Sequence, residues 1–284
     1  MAPFQFTRKT DRGAQRASCL AEAMGLAAIA DQTWLFVSPH DDDLCIGAGL
    51  FMQAAIRAGV SVQVLIVTDG CMGYCQLEDR DRIVEIRRRE AYRSYQALGI
   101  PQDRVAYVGY PDGGLIPFIG RRRAREGEEG IEGYIGLQNA FTYHLRRVRP
   151  ARVYVPTHTD LHPDHRIAHS ELMISVFHAA GSIWPELGEP LSEPPNVGEL
   201  AVYCDFVDLP NLEIIGDEEV FQTKLNSITA FQSQAQIERL VDSLRRAGPY
   251  EYVRENEFRL FTPDTYKPLF ASYLAGDGSG RGRR

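Results

Sequence analysis

Apolar runs too short and too branched to be stable helices recur along the chain, each followed by a longer segment with apolar residues at helical spacing. Thr33–Ser38 (TWLFVS), Ser61–Thr68 (SVQVLIVT), Arg104–Val108 and Arg152–Pro156 read as strands. Between and after them, Ala48–Ala58 ends at Gly59, a charged segment from Asp79 to Leu98 stops at Gly99 before Pro101, and Gly130–Val148 and Pro163–Ala180 read as helices. Strand–helix alternation of this kind predicts an α/β fold, a mostly parallel sheet with helices on both faces and right-handed crossovers. In such a fold ligands bind beyond the carboxyl ends of the strands.

Residues 1–30 read as an N-terminal extension, polar, basic and loosely ordered over 1–18, with the apolar run Ala21–Ala30 as a helix packed on the domain. Residues 31–274 form one α/β domain. Within it 195–274, with strands at Leu200–Val207 and Glu251–Leu260 and helices at Glu218–Phe231 and Gln236–Ala247, is expected to cap the sheet or wall the pocket. The Gly/Arg-rich segment Ala275–Arg284 is expected to be a flexible tail. A chain of 284 residues buries an adequate core without cross-links. A net charge of −7 argues against a nucleic-acid partner. The five scattered cysteines, Cys19, Cys45, Cys71, Cys75 and Cys204, read as reduced thiols. The Ala21–Ala30 run contains Glu22 and is too short to span a bilayer, and the opening residues lack the layout of a signal peptide. The cytoplasm is therefore the expected location, and a homo-oligomer is compatible with the sequence.

Polar clusters follow the strands. Pro39-His40-Asp41-Asp42-Asp43 comes directly after the first, and His158-Thr159-Asp160-Leu161-His162-Pro163-Asp164-His165 after the strand ending at Pro156. Four of the seven histidines fall between positions 158 and 169. Three adjacent carboxylates at a strand end repel one another unless a cation is near, and a divalent metal provides one. Imidazole nitrogen with carboxylate oxygen suits zinc, and three protein ligands with one open position is the arrangement of a catalytic site. Each segment alone also has a plain structural reading, with Asp43 capping the next helix and Pro163 in a first helical turn.

These residues resemble the LmbE/PIG-L-like deacetylases, whose members have His-Pro-Asp-Asp-Glu after the first strand and His-Pro-Asp-His later. Here the motifs read His40-Asp41-Asp42-Asp43-Leu44 and His162-Pro163-Asp164-His165. The resemblance runs from about Trp34 to Ala180 and takes in Thr68-Asp69-Gly70 with Gly73, Arg87-x-x-Glu90 and Pro111-Asp112-Gly113-Gly114. It implies a Rossmann-like sheet and one Zn2+ per chain, with Fe2+ as an alternative, held by His40, Asp43 and His165. Asp42 would be the general base, His162 would stabilise or protonate the tetrahedral intermediate, and Asp164 would orient one of the histidines. Arg87, Asp112 and Cys71 would contact substrate. Asp41 and Leu44 depart from the motif's Pro and Glu, and Cys71 stands where many members have Glu.

His158 and His169, the latter on the helical face of His165, read as structural or as supports for the ligands. Cys71 and Cys75 read as pocket-lining thiols. Arg121, Arg122, Arg123 and Arg125 are followed by Glu126, Glu128 and Glu129 and read as an internally balanced loop, with phosphate recognition as the alternative. The function implied is zinc-dependent removal of an acetyl or other acyl group from the amide nitrogen of a small N-acylated sugar or sugar-like substrate. One alternative is an amidase of a thiol conjugate or other acylamide. Another is a non-catalytic Rossmann-like binding protein, which requires a Gly-rich phosphate loop where this chain has three acids.

Overall fold

The structure, a computed structural model, describes residues 2–10, 13–256, 262–268 and 270–271. An antiparallel pair, β1 (Phe4–Thr10) and β2 (Gly13–Ala17), leads through one helical turn, α1 (Leu20–Ala23), to β3 (Thr33–Ser38). There follow α2 (Asp43–Arg57), β4 (Ser61–Thr68), α3 (Ile83–Ala97) and β5 (Val105–Tyr110). A small ribbon of β6 (Arg122–Arg123) and β7 (Tyr134–Ile135) precedes α4 (Leu137–Val148), β8 (Arg152–Pro156) and α5 (Pro163–Ala180). Next come β9 (Asn196–Leu200), β10 (Leu212–Gly216), α6 (Glu218–Thr229), α7 (Ile237–Ala247) and β11 (Tyr250–Glu255).

Nine strands form one mixed sheet in the order β2-β1-β10-β11-β9-β8-β3-β4-β5. The block β9-β8-β3-β4-β5 is parallel, and β2, β1, β10 and β11 extend it antiparallel. The central strands are unbroken apolar runs because both faces are buried. Trp34 and Phe36 of β3 join Val62, Val64 and Ile66 of β4 in a core under α2, α3 and α6, whereas Leu35, Val37, Leu65 and Val67 enter a second core under α4 and α5. The two-residue period of the strand divides the side chains between the faces. Each fully buried aliphatic or aromatic side chain stabilises the fold by roughly 1.5–3 kcal/mol.

The ends of the sheet differ from the sequence reading. Phe4–Thr10 and Gly13–Ala17, expected to be loose, are strands: Phe4 and Phe6 point into the core while the residues between and after them are at least partly exposed. That alternation is the signature of an outer antiparallel strand, and its polarity disguises it. The helix expected over Ala21–Ala30 is the single turn of α1, ended by Gly25 at φ +69°. Residues 196–255 do not simply cap the sheet but supply β9, β10 and β11. The strand expected at Leu200–Val207 ends at Leu200, and 201–211 are loop. The late strand is Tyr250–Glu255; residues 257–260 of the expected strand and the tail Ala275–Arg284 lie outside the described residues. No described helix is long and apolar enough to cross a membrane.

Helix α2, which begins beside the polar cluster after β3, is broken at Ala48 (φ −143°). The break frees the amides of Leu50 and Phe51, and both donate to the Glu251 carboxylate of β11, each at 2.8 Å. Lys224 of α6 pairs with the same carboxylate at 2.6 Å, and Lys224 and Glu251 are both buried. Glu251 thus caps the second half of α2 from across the core. Glu251→Ala leaves a buried ammonium and two amides without partners, and about 3–5 kcal/mol of stability should be lost. Urea unfolding checks this, and the double variant Lys224→Met/Glu251→Ala should lose less than the sum of the single changes.

Candidate active site

The parallel strands β3, β4, β5 and β8 each end in a polar loop at one edge of the sheet, and the loops are tied together through the backbone. The amide and hydroxyl of Thr68 donate to the Pro39 carbonyl (3.1 and 2.9 Å). The Asp69 carboxylate accepts from the amides of Cys71 (2.9 Å) and Asp112 (3.1 Å). The Thr157 amide donates to the Leu200 carbonyl at 2.9 Å. A cavity of about 950 Å³, lined by Thr33, Arg149, Arg152 and Asn196 among others, lies at the opposite edge, where β3, β8 and β9 begin.

Three atoms converge at the carboxyl edge. His40 Nδ1 and His165 Nε2 are 3.1 Å apart, and Asp43 Oδ2 lies 3.4 Å from the first and 3.1 Å from the second. The side chains of Asp43 and His165 are fully buried, and Asp43 Oδ1 has no hydrogen-bond partner. Two nitrogens and a carboxylate oxygen facing one point are the donor set of a zinc site, whose ligand atoms sit roughly 3.3–3.6 Å apart. The residues therefore fit a divalent cation. Electrostatics agree. Burial opposes charge on His40 and His165, yet Asp43 and its acidic neighbours raise both imidazoles above their ordinary value, while burial fails to stop His165 and His40 from holding Asp43 well below the carboxylate range. Asp43 also accepts from the His40 amide at 2.7 Å, so it closes the turn after β3 as well as facing the cluster.

Carboxylates address the far side of each imidazole. His40 Nε2 is 3.1 Å from Asp112 Oδ1 and 3.5 Å from Asp164 Oδ2; His165 Nδ1 is 3.3 Å from Asp160 Oδ2. A carboxylate on the second ring nitrogen fixes tautomer and orientation in metal-binding histidines. Asp112, expected at the substrate, thus lies against His40. Asp160, which the sequence reading passed over, is fully buried and also accepts from the amides of His162 (3.1 Å) and Tyr203 (3.2 Å). Its only signal in the sequence is its place in a loop of histidines. His162 stands edge-on to His40, ring centroids 4.4 Å apart, and is the N-cap of α5. Its Nδ1 accepts from the Asp164 amide at 3.2 Å, which leaves Nε2 to bear the ring hydrogen. Burial and the imidazoles of His40 and His165 hold its pKa below the ordinary value.

Beneath these residues Arg87 of α3 is 3% exposed. Its Nε donates to both oxygens of Asp41 (2.9 and 3.1 Å), and Nη2 contacts Asp41 and reaches Asp42 Oδ2 at 3.2 Å. Phe231 lies under the guanidinium at 5.5 Å. Gly70 and Gly73 pack on it so closely that an added Cβ would come within 3.1 and 3.0 Å of its atoms. The fork of Arg87, expected at the substrate, is here directed at Asp41 and Asp42. Glu90 does not pair with it but accepts from the amide and hydroxyl of Ser233 (2.8 and 2.7 Å). Asp42 keeps partial exposure beside the convergent atoms, and Cys71 is half-buried with Sγ 4.0 Å from the Asp112 carbonyl.

The remaining candidates lie apart. Arg122 forks onto Glu128 (2.6 and 2.7 Å), and Arg121 packs between Tyr134 and Trp184 and pairs with Glu186, so this basic loop is internally balanced. Cys75 accepts from the Ala235 amide at 3.4 Å. His158 and His169 meet Glu199 instead of the convergent triad.

Comparison with known proteins agrees with this geometry. A 1D-myo-inositol 2-acetamido-2-deoxy-alpha-D-glucopyranoside deacetylase of Kineococcus radiotolerans is 30% identical over 52% of this chain, a stretch that spans 45% of that relative. A diacetylchitobiose deacetylase of Thermococcus kodakarensis is 25% identical over 70% of the chain and 69% of that protein. The structure of the N,N'-diacetylchitobiose deacetylase of Pyrococcus horikoshii shares the fold, with a TM-score of 0.64 at 22% identity over 87% of this chain and 94% of that one. The model of the PIG-L family, described as GlcNAc-PI de-N-acetylase, matches residues 35–176 and so encloses both histidine motifs and every loop that builds the cluster. Through that half of its length the chain belongs to the PIG-L family of deacetylases, which are amide hydrolases.

Proposed function

We propose that the chain removes an acetyl group from the amide nitrogen of an N-acetylated amino sugar, with one zinc ion held by His40, Asp43 and His165. The observation behind this is the convergence of His40 Nδ1, Asp43 Oδ2 and His165 Nε2 at 3.1–3.4 Å on the turn that also carries Asp42. Family membership and relatives named as deacetylases of acetylated amino sugars support the substrate class.

Bound zinc supplies a Lewis acid that makes water a better nucleophile near neutral pH. Asp42, acceptor-only when ionised, takes the proton of the attacking water as oxygen bonds to the acyl carbon. Arg87 holds Asp42 by one oxygen and leaves the other to act. His162, with its hydrogen on Nε2, donates to the carbonyl oxygen as negative charge develops there. The carbon–nitrogen bond then breaks, the proton held by Asp42 passes to the departing nitrogen, and acetate and a free amine result. His162 thus acts as a neutral donor.

Asp42→Asn should retain the wild-type zinc content while kcat falls by roughly 10²–10⁴. His165→Ala should lose the ion held with His40 and Asp43, and turnover with it. Elemental analysis alongside acetate release separates the two, and equal zinc loss in both variants would show that base and ligand have been exchanged.

Arg87→Lys keeps the charge but loses the fork. With Arg87 acting only through Asp42, kcat should drop about 10–100-fold with KM and zinc content near wild type. A rise in KM alone would instead place Arg87 on the substrate.

Loops leaving the carboxyl edge expose Met72, Leu77, Ile116, Leu161, Val207 and Leu209. A substrate with an apolar group beyond the sugar should gain from that rim. An alkyl or aryl glycoside of N-acetylglucosamine should show a lower KM than the free sugar. Acetate release from neither, with turnover of an N-acyl thiol conjugate, would reassign the substrate while leaving the hydrolytic chemistry in place.

A further inference from the structure

Outside the convergent triad, a second set of ligand atoms meets at the same edge of the sheet. His158 follows β8, His169 lies on α5 four residues beyond His165, and Glu199 is in β9, opposite Val155 of β8. Glu199 Oε1 is 3.2 Å from His158 Nδ1 and 3.4 Å from His169 Nε2, and one ligand atom from each residue falls within 4.8 Å of the others. The two rings are tilted at 49°, with centroids 5.4 Å apart.

We propose that His158, His169 and Glu199 form a second divalent-cation site, of zinc type, that shares no ligand with His40, Asp43 and His165. Two imidazole nitrogens are directed at a single carboxylate oxygen of Glu199, whose other oxygen lies 3.9 Å from Arg254 Nε. They form a good ligand set: two histidines and a carboxylate with an open fourth position is an established zinc arrangement, and the separations approach the ligand spacing of about 3.3–3.6 Å in a tetrahedral site. Glu199 and His169 are buried and held by β9 and α5, whereas the His158 side chain is 48% exposed. A fixed inner pair with one ligand at the surface gives a cation a path inward. Arg254 does not occupy the position. It faces the other oxygen of Glu199 and is itself paired with Asp208 at 2.9 Å.

The site has a mechanical consequence. His158 and Asp160 share the loop between β8 and α5, and Asp160 contacts His165 of the first site. A cation at the second site would tie that loop to α5 and β9, and so brace Asp160 against His165.

Zinc content of the full chain, after saturation with zinc and removal of loosely held metal by a weak chelator, tests this directly. Wild type is expected to retain two equivalents, Glu199→Gln one and His165→Ala one, and the double variant none. His158→Ala, a change at an exposed position that leaves the core intact, should also retain one. The Co2+-substituted wild type should show two separable visible-absorption signals, of which Glu199→Gln loses one. Glu199→Gln and His158→Ala proteins that hold as much zinc as wild type overturn the proposal, whether wild type saturates at one equivalent or at two. Failure of the first site reads differently: His165→Ala would keep the full wild-type complement while Glu199→Gln lost one equivalent, which supports the second site alone.

Discussion

One buried guanidinium makes the acidic edge of this sheet tolerable. Asp41, Asp42, Asp43, Asp112, Asp160 and Asp164 crowd the ends of β3, β5 and β8, and Arg87 is the cation that reaches two of them from below. Without it, Asp41 and Asp42 would face each other as neighbouring acids in a poorly hydrated place, a strongly destabilising arrangement. The requirement extends outward. Arg87 approaches the loop after β4 so closely that a side chain at Gly70 or Gly73 would crowd it, and Phe231, just beyond α6, lies 5.5 Å from the guanidinium. The position of α3 against the sheet and the shape of the loop after β4 both follow from seating this one side chain.

The remaining acids are balanced from above by imidazoles, and the three ligand candidates come from two strand–helix junctions brought together by adjacent parallel strands. β3 pairs with β8, so the loops after them rise side by side, one with His40 and Asp43, the other with His162 and His165. Each imidazole is then aimed by an acid from another part of the chain: His40 by Asp112 after β5, His165 by Asp160 within its own loop. The supporting hydrogen bonds cross between loops, so no single loop can shift without disturbing ring orientation. This is a preorganised site, with geometry set by the fold before any ligand arrives.

Much of this was legible in the sequence, for physical reasons that also explain what was hidden. The parallel strands are buried on both faces and so appear as unbroken apolar runs; Thr33–Ser38, Ser61–Thr68 and Arg152–Pro156 are strands with those bounds. The metal-type motifs stand at strand ends, where topology requires a binding edge. Strands β1, β2, β10 and β11 escaped notice or precise placement because their exposed positions are polar and their apolar alternation is short. Glu251 could not have been found at all. It is an acid in a short strand until the fold places it some 200 residues away in sequence against the amides of Leu50 and Phe51. Glu199 is hidden in the same way, since nothing near it in sequence connects it with His158 and His169. The burial of Arg87 is hidden too, because three arginines stand together in α3 and only packing selects which one is buried.

Asp41 accounts for the demand placed on Arg87. The motif that this chain resembles has proline there, a residue with no charge to offer a guanidinium. Here burial raises the Asp41 carboxyl while Arg87 pulls it back, and the Tyr95 hydroxyl anchors its backbone carbonyl at 3.0 Å. An extra buried acid is a burden on stability unless its partner is fully engaged, and full engagement is what the fork of Arg87 provides. The consequence falls on recognition. A guanidinium with Nε and Nη2 committed to Asp41 and Asp42 has little left for an anionic group on a substrate. Beside the cluster Tyr203 is stacked on His162 and tilted against His165, and the surrounding loops expose apolar side chains. Asp41 thus engages the guanidinium beside the metal-type motif without disturbing the convergence of His40, Asp43 and His165.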